Sequence, residues 1–471
     1  MPRLRNRLIG MAVILIASGI ALCSDSLLVA SSHVSWSESE VPDPGSGAVL
    51  NAVSCPTSSS CWAVGETATK ALALHDQNGS WGLEPLPALA GTAPALTSVS
   101  CWSATGCVAV GSSKSGDTIE PLLLVYNGST WSEEVIPTIG TDDSLTEVVC
   151  HARFNCLAIG SSSSSSEMNI TLPATPFLLS NAGGMWTILH AAPLAFGPAH
   201  ASTETYSALS CQNVDLCLIA DRYTSSATTL TVLVAGANSW KQLAAPGLST
   251  ITAGACESAA QCWFVGAGNT DGSLASDEYV NGYPQYEQLP DPARPPSPTP
   301  GPSSPFTSFN MYASSHIQAI SCVPDETTCL AVGSCPSQAG TRTLALELSS
   351  TGWSPIPAPA AFGAPPCSPQ VESIGGPAAA HLPDQHSSLT TASLVSQVPS
   401  TSMFTAVSCS AGGTCWAVGT KSWDPSHPLL IAEATVHAPS LFQPEMAAGL
   451  VLLLFSGILI GILRRTRTVV S

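Results

Sequence analysis

Seventeen cysteines in 471 residues are the side chains best placed to do chemistry, and their spacing decides which chemistry. Fourteen form seven pairs: Cys55/Cys61, Cys101/Cys107, Cys150/Cys156, Cys211/Cys217, Cys256/Cys262, Cys322/Cys329 and Cys409/Cys415. Six pairs are spaced C-x5-C, and Cys322/Cys329 is C-x6-C. Tetrahedral zinc would want C-x2–4-C pairs meeting other pairs, and thiol redox catalysis wants C-x-x-C. Disulfide bonding is the expected chemistry instead. A five-residue spacer sets each pair at the facing ends of a tight hairpin, where Cβ atoms reach bonding distance. Closing so short a loop contributes roughly 2.4 kcal/mol in the chain-entropy model. Cys335 and Cys367 remain as the natural eighth bridge, and Cys23 stands apart near the N-terminus.

Other chemistry is thinly represented. No G-x-S-x-G, H-E-x-x-H or phosphate-binding loop occurs, so the common hydrolase and nucleotide routes lack their motifs. Asp142–Asp143 and the run Asn269–Gly272 could coordinate calcium, but no EF-hand or nonapeptide spacing surrounds them, and they read as turn residues. His427, in WDPSHP, reads as a loop residue before a strand. No catalytic residue, metal ligand or cofactor site is assigned. Only 10% of residues are charged, against ~25% in an ordinary soluble domain, while Gly and Pro number 37 and 38. That balance argues against long solvated helices and coiled coils. The 45% apolar fraction argues against general disorder.

The elements that must carry the cysteines are repeats. LNAVSCPTSSSCWAVG (Leu50–Gly65) recurs as LTSVSCWSATGCVAVG (Leu96–Gly111) and LTEVVCHARFNCLAIG (Leu145–Gly160). Further copies begin at Tyr206, Ile251, Ile317 and Phe404. Each continues, after a variable gap, into an apolar run, a Gly/Asn turn, a Trp and a Pro, as in LALHDQNGSWGLEPLP with Trp81 and Pro87. Two β-rich segments flanking a polar turn, an apolar strand and an alternating strand ending at Pro make four strands per unit. Four-stranded units at this period match propeller blades. The seventh copy stops after PLLIAEAT (Pro428–Thr435), and its missing last strand is found at the other end of the chain as WSESEVP, Trp36–Pro42. A fragment displaced to the opposite terminus closes a ring and removes open sheet edges, which a linear β-solenoid would not need. The expected fold is all-β: a seven-bladed β-propeller closed by an N-terminal strand, plus one C-terminal transmembrane helix.

Both ends read as targeting segments. Arg3, Arg5 and Arg7 precede an uncharged run from Leu8 to Leu22, expected to be a signal peptide over residues 1–30 cleaved after Ala30, or else an uncleaved signal anchor. Leu22 sits where lipidation of Cys23 would require a small residue. Ala447–Leu463 carries no charge and is followed by Arg464, Arg465 and Arg467, which predicts a transmembrane helix over 446–463 and a cytoplasmic tail over 464–471. The propeller ectodomain is expected over 34–438, with insertions near 291–316 and 360–403. Of 14 basic residues, six lie in these flanks, leaving eight; set against all 32 acidic residues, with Asp25 of the N-terminal segment counted in, they give a net charge of −24 outside the membrane. Such a surface repels nucleic acid.

The SC-x5-C-x-AVG units resemble repeats of secreted and surface-anchored bacterial proteins of mostly unassigned function. They are more distantly similar to the sialidase (Asp-box, BNR) and kelch or galactose-oxidase propellers. The Asp-box comparison rests on turns such as DQNGSW (Asp76–Trp81) and NGSTW (Asn127–Trp131), where the Asp is displaced or absent. A sialidase-like site implies three arginines clamping a carboxylate. Only Arg153, Arg222, Arg294 and Arg342 fall outside the flanks, with Arg153 inside a cysteine hairpin. The expected function is a membrane-anchored, extracytoplasmic recognition or scaffold module at the cell surface, for a protein or a cell-surface glycan. A secreted glycoside hydrolase or lyase on the same fold is the alternative.

Overall fold

Each repeat folds into a four-stranded antiparallel sheet whose spatial order follows chain order. The computed structural model describes residues 33–163, 175–189 and 204–437, apart from 214–215, 224–230, 237–238, 245–246, 259–260, 269–272, 281–282, 294–314, 325–327, 338–339, 350–351, 358–366, 368–400 and 423–426. The first blade comprises Val49–Thr57, Ser60–Glu66, Ala71–Gln77 and Ser80–Leu83. Blades two to six span 92–133, 142–189, 204–244, 248–288 and 316–355. These six are each cut from one run of chain. The seventh sheet is composite: Ser402–Cys409, Thr414–Lys421 and Leu429–His437 take His33–Glu38 as their outermost strand. The innermost strands touch in sequence, and Ser402–Cys409 lies against Val49–Thr57, so the ring closes. The propeller body is Ser35–Thr435.

The core lies between blades rather than within any one. Second strands such as Ser60–Glu66 are buried almost throughout, because neighbouring blades cover both of their faces. That is why CWAVG is a near-continuous apolar run and not an alternating one. Tryptophans lock three of these seams. The second-strand Trp of one blade meets the outermost-strand Trp of the next edge to face: Trp62 with Trp131 at 5.0 Å, Trp416 with Trp81 at 5.4 Å, and Trp263 with Trp353 at 6.0 Å. Each such pair adds ~1 kcal/mol beyond its buried area.

The repeat motif has a local cause at each position. Every innermost strand carries a β-bulge at the same place, with Asn51, Thr97, Thr146, Ser207, Thr252, Gln318 and Thr405 as the extra residues. A bulge frees ladder carbonyls. Polar side chains take them up: Thr97 Oγ1 lies 3.2 Å from Val110 O in its own blade and 2.9 Å from Leu145 O in the next. The Ser of the Ser-Cys dipeptide links blades as well. Ser54, Ser100, Ser321 and Ser408 accept the N–H groups of Cys101, Cys150, Cys409 and Cys55 at 2.9–3.0 Å. The Gly of AVG sits where the bulge presses backbone against backbone. A Cβ on Gly111 would stand 1.9 Å from Ala95 O. Gly111→Ala should therefore lower stability by about 2–4 kcal/mol in denaturant titration, whereas Gly82→Ala, with open space around its Cβ, should change it by less than about 0.5 kcal/mol.

The expected architecture of a seven-bladed propeller with a C-terminal transmembrane helix is corrected. The described residues form six self-contained blades and one composite closing sheet, and every element among them is a strand. No helix among the described residues is long and apolar enough to cross a membrane. The hydropathy that suggested such a helix belongs to 446–463. That segment, the signal segment 1–30, the tail 464–471 and most of the two expected insertions lie outside the described residues.

Candidate functional site at the open end of the ring

The two ends of the ring differ because of strand order. At one end, a tight hairpin joins the innermost strand to the second, and a short turn joins the third to the outermost. Seven cysteine bridges close this end: Cys55–Cys61, Cys101–Cys107, Cys150–Cys156, Cys211–Cys217, Cys256–Cys262, Cys322–Cys329 and Cys409–Cys415, with Cα atoms 3.9–4.2 Å apart. Asn127 caps one of its turns by accepting from the Ser129 and Thr130 amides and the Ser129 hydroxyl. The NGSTW turn is thus structural.

At the other end, second strands lead to third strands and each blade leads to the next. The long connections containing 164–174, 190–203, 224–230, 294–314, and 358–366 with 368–400, all leave and re-enter the described strands here. The eighth bridge, Cys335–Cys367, has its Cα atoms 5.8 Å apart. Cys335 is at the open-end tip of a second strand and buried, so the bridge ties the connection after blade six to the ring.

A groove opens at this end along the closing seam, with a cavity volume of about 640 Å³. Its walls are the segment Glu38–Pro44, which leads from the closing strand into blade one, together with Lys421 and His427–Leu429. Two contacts set this segment: Ser39 N–H donates to Ile431 O at 2.9 Å, and Lys421 pairs with Glu38. Asp43 Oδ1 then accepts the Gly45 N–H at 2.9 Å, turning the chain inward. Val41 packs on the apolar cluster joining the first blade to the closing sheet. The groove therefore has an apolar floor and a rim bearing Glu38, Glu40 and Asp43.

Among the innermost strands one residue stands out. The position after each bulge is Ala52, Ser98, Glu147, Ala208, Ala253, Ala319 and Ala406, so Glu147 is its lone carboxylate. Its Oε2 accepts the Leu209 N–H of the next blade at 2.7 Å, as the Ser98 hydroxyl accepts that of Val148 at 3.2 Å. Burial raises its pKa to about 8, partly offset by this hydrogen bond. Glycoside hydrolysis needs two carboxylates. This level supplies one.

Ser60, His75 and Glu84 look like an acyl-transfer set. Ser60 Oγ is 3.1 Å from His75 Nε2, and His75 Nδ1 is 3.7 Å from Glu84 Oε1. His75 also stacks on Trp62 at 4.1 Å, and Gln77 Nε2 lies 3.1 Å from its Nδ1. Burial lowers the imidazole pKa, with Glu84 opposing. The other blades reveal the role of the cluster. The ladder position of His75, opposite Trp62, is filled by Glu278 opposite Trp263 and Glu433 opposite Trp416. Gln261, which corresponds to Ser60, donates to Glu278. A polar third-strand residue opposite the second-strand Trp is thus a repeated feature, bonded in two of the three blades to the residue before the hairpin's second cysteine. Its sequence signal is the polar residue shared by LALH, LASDE and LIAE, each opposite a CW dipeptide.

The remaining sequence candidates separate in space or serve turns. Asp143 Oδ2 accepts the Ile139 and Gly140 amides, both at 3.0 Å, and Asp142 Oδ1 accepts that of Ile119. Arg153 lies over Phe154 at the stapled end of blade three, whereas Arg342 is buried on blade six near the open end. These two do not converge. Among the described residues no cluster of three or more His, Cys, Asp or Glu is arranged to hold a metal ion. Asn269–Gly272, Arg294 and the Arg222 side chain lie outside the described residues. Sequence reasoning missed Glu147 and the groove.

No protein-family model matches the chain, and no curated protein matches it. Solved structures do. YCF48 bound to D1 peptide aligns over 87% of this chain and 97% of its own, at 13% identity and a TM-score of 0.46. YCF48 from Cyanidioschyzon merolae covers 86% and 99%, at 13% identity and a TM-score of 0.47. The WD40 β-propeller domain of Doa1 covers 86% and 96%, at 11% identity and a TM-score of 0.42. All three scores are below 0.5, so the likeness says nothing about the partners or activity of this chain.

Proposed function

We propose that this chain is a recognition or scaffold module that binds a protein partner outside the cytoplasm through the open end of its ring. The observation that carries the reading is the asymmetry of the ring. Short bridged hairpins close one end, while the long connections enter and leave at the other. Rigid frameworks bearing variable connections on one side are the usual arrangement for binding surfaces. Eight bridges favour an oxidising, extracytoplasmic setting. The likeness of the repeats to those of bacterial surface proteins points the same way. A cell-surface glycan is the second ligand class in this proposal.

The test is a crosslinking pull-down alongside a glycan array, using the full chain and two variants. One replaces 294–314 with a Gly/Ser linker of equal length; the other changes the stapled-end turn by Ser129→Ala. The linker variant should lose captured partner by at least tenfold and Ser129→Ala should retain it. The opposite pattern overturns the assignment of the binding end, and saturable glycan binding without protein capture replaces the partner class.

A further inference from the structure

The groove at the closing seam has a chemistry that selects its occupant. Pro42, Pro44 and Pro428 line it, and proline has no N–H to offer. The Pro428 carbonyl already accepts the Lys421 N–H at 2.8 Å, so the acceptors of the walls are chiefly the carboxylates of Glu38, Glu40 and Asp43. Lys421 supplies a positive charge on the rim, but it is committed to Glu38. Glu40 and Asp43 are exposed and left in excess. The Asp43 carboxylate spends one oxygen on the Gly45 amide. The apolar floor, including Val41 and Leu429, suits an aliphatic stem lying under a charged head. A cavity of about 640 Å³ falls within the usual range for ligand sites, ~300–1,000 Å³. The chain as a whole carries a formal charge of −18, which attracts cations towards every such site.

We infer that this groove takes an extended, lysine- or arginine-bearing segment of the partner protein, with the cationic heads on Glu40 and Asp43 and their stems along the proline rings. This rests on the recognition reading given above and names the chemistry of the partner. An anionic glycan or an acidic peptide would meet three carboxylates, with Lys421, already paired to Glu38, and His427 as the only basic side chains among the lining residues.

Three labelled decapeptides test it by fluorescence anisotropy on the full chain: (Lys-Pro)5, (Ser-Pro)5 and (Glu-Pro)5. The first should bind saturably, weaken as salt rises, and exceed the other two by at least tenfold. Glu40→Lys with Asp43→Asn should weaken it at least tenfold. The matched control, Glu120→Lys with Asp117→Asn on an exposed hairpin of blade two, changes net charge equally and should cost less than twofold. Equal weakening by both pairs would mean diffuse attraction and no site, and would overturn the inference. So would equal binding of (Ser-Pro)5, or no saturable binding of (Lys-Pro)5. Thermal melts of both double variants confirm the ring is intact. If peptide binding fails while the 294–314 variant still loses its captured partner, the groove assignment falls and the recognition reading stands.

Discussion

A chain lacking Trp36–Pro42 should melt about 3–5 °C below the intact protein and self-associate. Trp36 stacks on Phe404 at 5.5 Å, Ser39 bonds Ile431, and Val41 joins the apolar cluster between the closing sheet and the first blade. Trp36 is half-buried, so losing it and the strand's other contacts costs on the order of 3 kcal/mol, the low end of the range for a buried tryptophan. For a body as long as Ser35–Thr435, with ~2.1 cal/mol/K of unfolding entropy per residue, each kcal/mol lowers the melting temperature by only about 1 °C. The deletion also bares the edge of Leu429–His437, a mostly apolar strand that invites pairing with a second chain. Calorimetry and size-exclusion chromatography report the two effects. Adding a peptide covering 33–44 in excess should restore the melting temperature by mass action. An unchanged melting curve would show that the composite sheet does not hold the ring.

Glu147→Gln should remove a pH dependence. Its carboxyl has a folded pKa of about 8 against an ordinary value of 4.5. The folded state therefore keeps a proton that the unfolded state has released. Between those two values the unfolded chain binds fewer protons, so stability falls as pH rises. The loss between pH 5 and pH 8 is on the order of 3 kcal/mol. The glutamine variant, whose amide oxygen can still accept from Leu209, should lose much less over that range. Parallel urea titrations at pH 5, 6.5 and 8 give the comparison. Equal pH slopes in the two proteins would show that Glu147 is ionised throughout.

How much was legible varies with the range of the interaction. The four-strand unit and the displaced closing strand could be read because each is a local pattern repeated many times. The reason for the motif could not, since it lies between copies. Ser54 matters to Cys101, and Thr97 to Leu145, in the blade that follows. The second-strand Trp was legible as core, but its partner was not, because Trp416 meets Trp81 across the seam where the chain closes. Glu147 reads like any strand acid until the other copies show alanine or serine at its position. The groove was invisible for the plainest reason: Glu38 and Lys421 are 383 residues apart in sequence.

The composite sheet also sets the path of mechanical load. Ser35 and Thr435, the limits of the propeller body, belong to outermost and third strands that are neighbours in one sheet. Tension applied between them is borne by that single seam, and the other six sheets stay slack until it parts. The bridges do not reinforce it: seven close within hairpins and the eighth lies at blade six. The ring therefore has a designated point of first opening, which sits directly beside the acidic groove.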